Sequence, residues 1–198
     1  MTLEHLLLTL SFAFATVITP GPNNLMLMAS GANFGFRRSL PHMLGVGLGF
    51  PTMVFLVGVG VMQVFDLWPV SFKILQVFSF GYLLYLAWKI ANASAPGKGK
   101  AGSKPLSFLQ AASFQWVNPK AWGMALSAIT TYATSRELFA VLVVAGCYVA
   151  CSVISTSSWT LLGQEMQRVL TNPTRLRVFN YSMAFLLVGT MIWVTLKG

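Results

Sequence analysis

Three places in the sequence carry the residues best suited to chemistry: Thr19-Pro20-Gly21-Pro22-Asn23-Asn24, Asn118-Pro119-Lys120, and the isolated His42. The first lies in a run from Leu6 to Phe36 that holds no charged side chain, where two prolines and a glycine interrupt the backbone hydrogen-bond ladder. After Pro22, Asn23 and Asn24 stand at the start of a half-helix, whose unpaired amides and positive dipole end suit a carboxylate. The carbonyls freed around Val17 to Thr19 can accept an ammonium group. A zwitterion is therefore the ligand that best matches a broken helix without a fixed ionic partner. Lys120 follows the second break and is the one ionisable residue expected deep in an apolar run, a functional-site hypothesis by default. It can bind the carboxylate or exchange a proton during a cycle; the competing reading is a tether that stabilises nearby carbonyls. His42 is a possible coupling group of the kind that titrates near neutrality, or an interfacial hydrogen-bonder. Gln115, Trp116 and Trp122 flank the second break, either lining a cavity or packing between helices.

The elements that must position these residues follow from composition. Of 198 residues, 56% are apolar and only 9% charged, which puts the chain among all-α integral membrane proteins in contact with lipid. The net charge of +9 arises because there are only four acids. Basic residues gathered in loops between apolar spans fit membrane orientation rather than nucleic-acid binding. Cys147 and Cys151 lie one turn apart on one helix face and read as small packing hydrophobes, without metal or redox spacing. No cofactor or metal is expected. The start, Met1-Thr-Leu-Glu-His, lacks the basic character of a secretory signal, so the first apolar run is expected to be retained.

Six transmembrane helices are expected in one domain over 1–198. The first, Leu3 to Phe36, would measure about 50 Å as one straight helix against about 30 Å of hydrocarbon, so a break at Pro20 should divide it. Ser39-Leu40-Pro41 supplies a cap and an early proline that would open the second span, which runs to about Phe65 and should kink at Pro51. Its glycines at 45, 47, 49, 58 and 60, with Gly31 and Gly35 in the first span, suit close helix packing in lipid. The third span runs from Val70 to Ala91, after a turn at Asp66. Trp68, Tyr82, Tyr85 and Trp88 fall partly near span ends, where headgroups lie.

A basic linker at 94–105 separates half 1 (1–93) from half 2 (106–198), whose spans run from Leu106 to Thr134, Leu138 to Leu162 and Val178 to Leu196. The first, third and fifth loops with their flanks hold nine basic residues, among them Arg37, Arg38, Lys89 and Lys104, and the other face holds three, Lys73, Arg136 and Lys197. That bias predicts those three loops to be cytoplasmic and both termini outside. Three spans per half is an odd number, so any repeat relating the halves must be inverted, with spans 1 and 4 broken at their Pro-containing motifs. Backbone broken at membrane depth is tolerated where protein or a cavity satisfies it, and paired breaks in two halves mark transport sites.

The Pro-Gly-Pro-Asn-Asn stretch, Gly35-Phe36-Arg37, the glycine-rich segment Met43 to Gly49 and Val117-Asn118-Pro119-Lys120 together resemble the LysE/RhtB family of bacterial amino-acid exporters, over essentially the whole chain. The resemblance implies a secondary active exporter of small amino acids or derivatives in the inner membrane, driven by a proton gradient, with no enzymatic activity. It is similar within that family to cysteine/O-acetylserine exporters, with the homoserine/threonine type the other substrate type the resemblance implies. Many members carry an acidic residue in the second span where this chain has Phe50. A homo-oligomer is compatible with the pattern. Competing classes are a membrane-embedded hydrolase pairing Lys120 with Ser113 or Ser127, a thiol carrier using the two cysteines, and a passive channel or accessory subunit, for which no ring-forming charge pattern is present.

Overall fold

The computed structural model describes residues 2–60, 67–93, 104–133 and 137–197. The Asp66 turn, Arg136 and nearly all of the expected linker lie outside the described residues. Within them every regular element is a helix, in the order α1 (Leu3–Ile18), α2 (Pro22–Phe34), α3 (Phe36–Gly58), α4 (Pro69–Ala91), α5 (Phe108–Val117), α6 (Pro119–Tyr132), α7 (Leu138–Met166) and α8 (Pro173–Lys197).

Both expected breaks are present. Thr19 is extended (φ −63°, ψ 144°) because a residue before proline is pushed out of the helical region, and Pro22 restarts the helix at its first position, where a missing N–H costs nothing. The axes of α1 and α2 differ by 58°. At the second break Asn118 is extended and caps α6, its side-chain oxygen accepting from the Lys120 amide at 3.1 Å, with Pro119 at the first helical position. A capping box between Ser107 and Gln110 starts α5.

By length and composition α3 and α7 can each cross a membrane, and α1 with α2 passes the same test as one bent span. The chain is an integral membrane protein, and its large apolar side chains on α4 and α8, such as Phe78 and Phe185, are exposed accordingly.

One expected boundary is corrected. The second span does not open at Ser39-Leu40-Pro41: α3 begins at Phe36, directly after Gly35, whose φ of 77° turns the chain in one residue. A distant side chain supplies the cap, the Phe36 amide donating to Gln164 Oε1 on α7 at 2.6 Å. Ser39 instead donates back to the Gly35 carbonyl and meets Ser30 Oγ at 2.8 Å, and Pro41 lies inside the helix. Gly35 is thus a corner rather than a packing residue.

Glycine sets the spacing of the central helices. A Cβ on Gly31 would fall on the Thr160 carbonyl of α7, and one on Gly163 would fall on the Met28 carbonyl of α2, so these two backbones touch. Gly45 and Gly49 do the same for α3 against Phe108 and Ala112 of α5, whereas Gly47 is less confined. Such approach is how helices associate where lipid removes the hydrophobic drive between them. The result is an inner group of α1, α2, α3, α5 and α7, with α4 packed on α8 beside it. A buried reciprocal amide pair, Asn33 with Asn180 at 2.7 and 3.0 Å, joins α8 to α2.

Candidate functional site

The two breaks face each other. Lys120 reaches from the start of α6 to the end of α1, where its ammonium donates to the Thr19 carbonyl (3.0 Å), the Thr19 hydroxyl (2.9 Å) and the Pro20 carbonyl (3.2 Å). An ammonium has three protons, and all three are used. Gly21 makes the passage possible: a Cβ there would lie 2.8 Å from both Cδ and Nζ of Lys120. The backbone of Gly21 is extended (φ −178°), a conformation open to any residue, so space rather than torsion calls for glycine.

The carbonyls freed at the end of α1, expected to accept a ligand's ammonium, are occupied by the chain's own donors. Val17 O accepts from Asn24 Nδ2 and Ser155 Oγ, both at 2.7 Å, Ile18 O from Trp159 Nε1 at 3.0 Å, and Thr19 O from Asn24 Nδ2 at 2.8 Å besides Lys120. The physical reason is the cost of an unpaired polar group away from water, which a broken helix at depth must avoid. A ligand's ammonium can use these oxygens only by displacing a donor.

The two asparagines of α2 divide their work. Asn24 is buried and ties α2 to the end of α1. Asn23 faces the other half, exchanging two hydrogen bonds with Gln115: Asn23 Nδ2 to Gln115 Oε1 at 2.8 Å and Gln115 Nε2 to Asn23 Oδ1 at 3.1 Å. Gln115 is fully buried and also donates to Ala111 O. Trp122 Nε1 donates to Trp116 O at 2.8 Å and the two rings meet edge to face, so these tryptophans brace the second break from within their own half.

A small cavity of about 30 Å³ lies between the breaks. Gly21, Asn23, Asn24, Asn118 and Lys120 line it, as do Phe50 of α3 and Ser152, Ser155 and Thr156 of α7. No carboxylate is among the lining residues, so Lys120 brings the one formal charge, balanced by carbonyl dipoles alone. The volume suits one or two waters, and an amino acid needs the helices around it to part. Phe50 packs edge to face on Tyr148 at 5.1 Å and closes that part of the cavity wall.

His42 is elsewhere. It is buried on α3, lines a second and larger cavity, and neither ring nitrogen has a hydrogen-bond partner. The sequence reading placed Thr19 through Asn24 and Asn118 through Lys120 in one site, and they do converge; His42 does not join them. The polar stripe of α7 was missed. Its signal was present as Ser152, Ser155, Thr156 and Trp159, spaced at three and four along an otherwise apolar helix. For the hydrolase alternative, Lys120 meets neither Ser113 nor Ser127, and the Thr19 hydroxyl donates to Thr16 O at 2.9 Å. Cys147 and Cys151 are buried free thiols, Cys151 directed at the Leu10 carbonyl at 3.6 Å.

Known proteins extend these observations. The cysteine/O-acetylserine efflux protein of Escherichia coli K12 is 32% identical over 184 residues, covering 90% of this chain and 91% of the relative, and that of Shigella flexneri matches to the same extent. No solved structure matches. The LysE type translocator model matches residues 14–196, which include both breaks and all the residues around the central cavity. Family and site coincide over nearly the whole length, and the chain belongs to the LysE type translocator family.

Proposed function

We propose that this protein is a secondary active exporter of small amino acids or their derivatives across the bacterial inner membrane, with cysteine and O-acetylserine the first substrates to try, since its relatives are named for them. The observation that carries the reading is the cavity between two broken helices, entered by a lysine from the opposite half and lined by no carboxylate.

Six spans account for the chain when α1 with α2 and α5 with α6 each count as one broken span. The packing supports two inverted halves: α3 lies against its counterpart α7, α4 against its counterpart α8, and α1 lies against α7 as α5 lies against α3. The basic residues then put the loops bearing Arg37, Lys89, Lys104 and Arg168 in the cytoplasm and both termini outside.

Substrate binding follows as an exchange of partners. The substrate's carboxylate draws the Lys120 ammonium away from Thr19 and Pro20, and the substrate's own ammonium takes over those carbonyls. Charge stays balanced throughout, and the amides of Asn23 and Asn24 hold the second carboxylate oxygen at the positive end of α2. Because Lys120 belongs to one half and the carbonyls to the other, this exchange unfastens the halves, which lets them rock around the site in alternating access. Release of the zwitterion on the outer face lets the Lys120 ammonium return to its carbonyls and refastens the halves.

Efflux of labelled amino acids from proteoliposomes, with and without an imposed proton gradient, tests the reading. Gradient-dependent flux of one class is expected; folded protein that carries none of a broad panel would overturn it. The Asn23–Gln115 pair gives a second expectation. Two neutral hydrogen bonds are worth about 1 kcal/mol each, so Asn23→Ala and Gln115→Ala should each raise the half-saturating substrate concentration roughly fivefold or more, and the double variant should do no worse than the poorer single. Wild-type concentration dependence in both single variants would remove Asn23 from the site.

A further inference from the structure

The larger cavity measures about 380 Å³ and lies between α2, α3, α4 and the segment leading into α5. It follows the central cavity along the same two helices. On α2, Asn23 and Asn24 line the small cavity while Met26, Ser30 and Asn33 line the large one; on α3, Phe50 and Val46 line the small cavity and His42, one turn earlier, the large one. Met26 and Val46 sit in one apolar cluster with Met43, Leu86 and Phe114, so packed apolar side chains lie between the two spaces.

The charged groups of the large cavity are of one sign. Lys89 of α4 and Lys104 stand on its wall, and among the described residues neither pairs with a carboxylate. Asp and Glu are absent from the lining. Ser30 and Asn33 already have partners in Ser39 and Asn180. His42, 1% exposed, has none at either ring nitrogen and borders the space. A buried imidazole without a partner is costly, and two unpaired cations beside it select for negative charge. The volume falls at the lower end of ordinary small-ligand sites, enough for an amino acid with its first waters.

We propose that this cavity is a second binding site, on the cytoplasmic side, that takes a small amino acid through its free α-carboxylate before the central cavity receives it. The two lysines hold the carboxylate and His42 hydrogen-bonds the polar remainder of the ligand. Parting of the Met26–Val46 layer then joins the two cavities, and the carboxylate passes from Lys89 and Lys104 to Lys120. This rests on the exporter reading and its orientation, and adds to it a loading site that the substrate occupies only from one face.

Sided transport measures it. In proteoliposomes of neutral lipid, with labelled O-acetylserine or cysteine presented to one face at a time, Lys104→Glu should raise the half-saturating concentration about tenfold from the cytoplasmic face, as charge reversal beside a bound anion requires. From the other face it should be unchanged. Lys104→Arg should behave as wild type, and His42→Leu should repeat the one-sided shift in a background that keeps both lysines. Lys104 lies at the rim in a stretch without helix, so its substitution leaves the fold intact. Equilibrium binding of the same labelled amino acid to purified protein should show two sites per chain, one of them about tenfold weaker in Lys104→Glu. Equal shifts from both faces, no shift, or a shift that appears only when anionic lipid is added would each overturn the proposal, the last by assigning the cavity to a lipid headgroup. Absence of wild-type flux from either face would overturn the exporter reading and this one together, whereas wild-type flux without a one-sided shift overturns this one alone.

Discussion

Lys120→Met should abolish coupled amino-acid transport, to below about one-hundredth of the wild-type rate, while the protein still folds. The methionine keeps the unbranched apolar stem of the side chain, one atom shorter, and loses the charge. A hundredfold loss corresponds to about 2.7 kcal/mol, within the range for a charge-assisted hydrogen-bond partner taken from a low-dielectric site. Stability should change less. Thr19 O keeps its bond from Asn24 and the Thr19 hydroxyl keeps its own to Thr16 O, so the Pro20 carbonyl is the group left without its donor; its cost is about 1–3 kcal/mol. Lys120→Arg should not rescue transport, because the lysine already passes where a Cβ on Gly21 would be 2.8 Å away and the broader guanidinium does not fit. Rates in proteoliposomes and melting of the purified protein separate the two roles. Normal transport with a large drop in melting temperature would make Lys120 a tether between the halves and nothing more.

The second large effect is on the fold. Gly163→Leu should prevent recovery of folded, monodisperse protein, because the Met28 carbonyl occupies the position its first side-chain atom would take and Thr160 O blocks Gly31 reciprocally. Separating α2 from α7 loses backbone packing along the whole contact, about 3 kcal/mol or more. It would also pull the Gln164 cap from Phe36 and the Gln167 donor from Gly31 O. Gly146→Leu, on the same helix with nothing within 4 Å of the added atom, is the matched control and should purify as wild type. Equal recovery and melting of the two variants would mean that α2 and α7 do not touch as closely as the glycines indicate.

Much of the site was legible before any fold was known. Proline has no N–H and forces its predecessor out of the helix, so Thr19-Pro20 and Asn118-Pro119 announce their breaks wherever they are packed. Asn118 is a helix cap by its own chemistry. What misled was a signal of the same local kind. Ser39-Leu40-Pro41 has the form of a helix start, yet the helix starts three residues earlier because Gln164 supplies the Phe36 amide with an acceptor. The carbonyls freed around Val17 to Thr19 already have partners for a related reason: besides the nearby Asn24, their donors are Ser155, Trp159 and Lys120, more than 100 residues away.

The division between what each level determined follows from the range of the forces. Composition, the positions of the two breaks, the helices between them and the family motifs are set by residues acting on their immediate neighbours, and the sequence alone determined those. Which donor fills which broken carbonyl, which glycine admits a neighbouring helix, and that His42 borders one cavity while Lys120 borders another were decided only by the tertiary structure. In an apolar surrounding each freed polar group must find a partner, and packing brings that partner from wherever in the chain it lies.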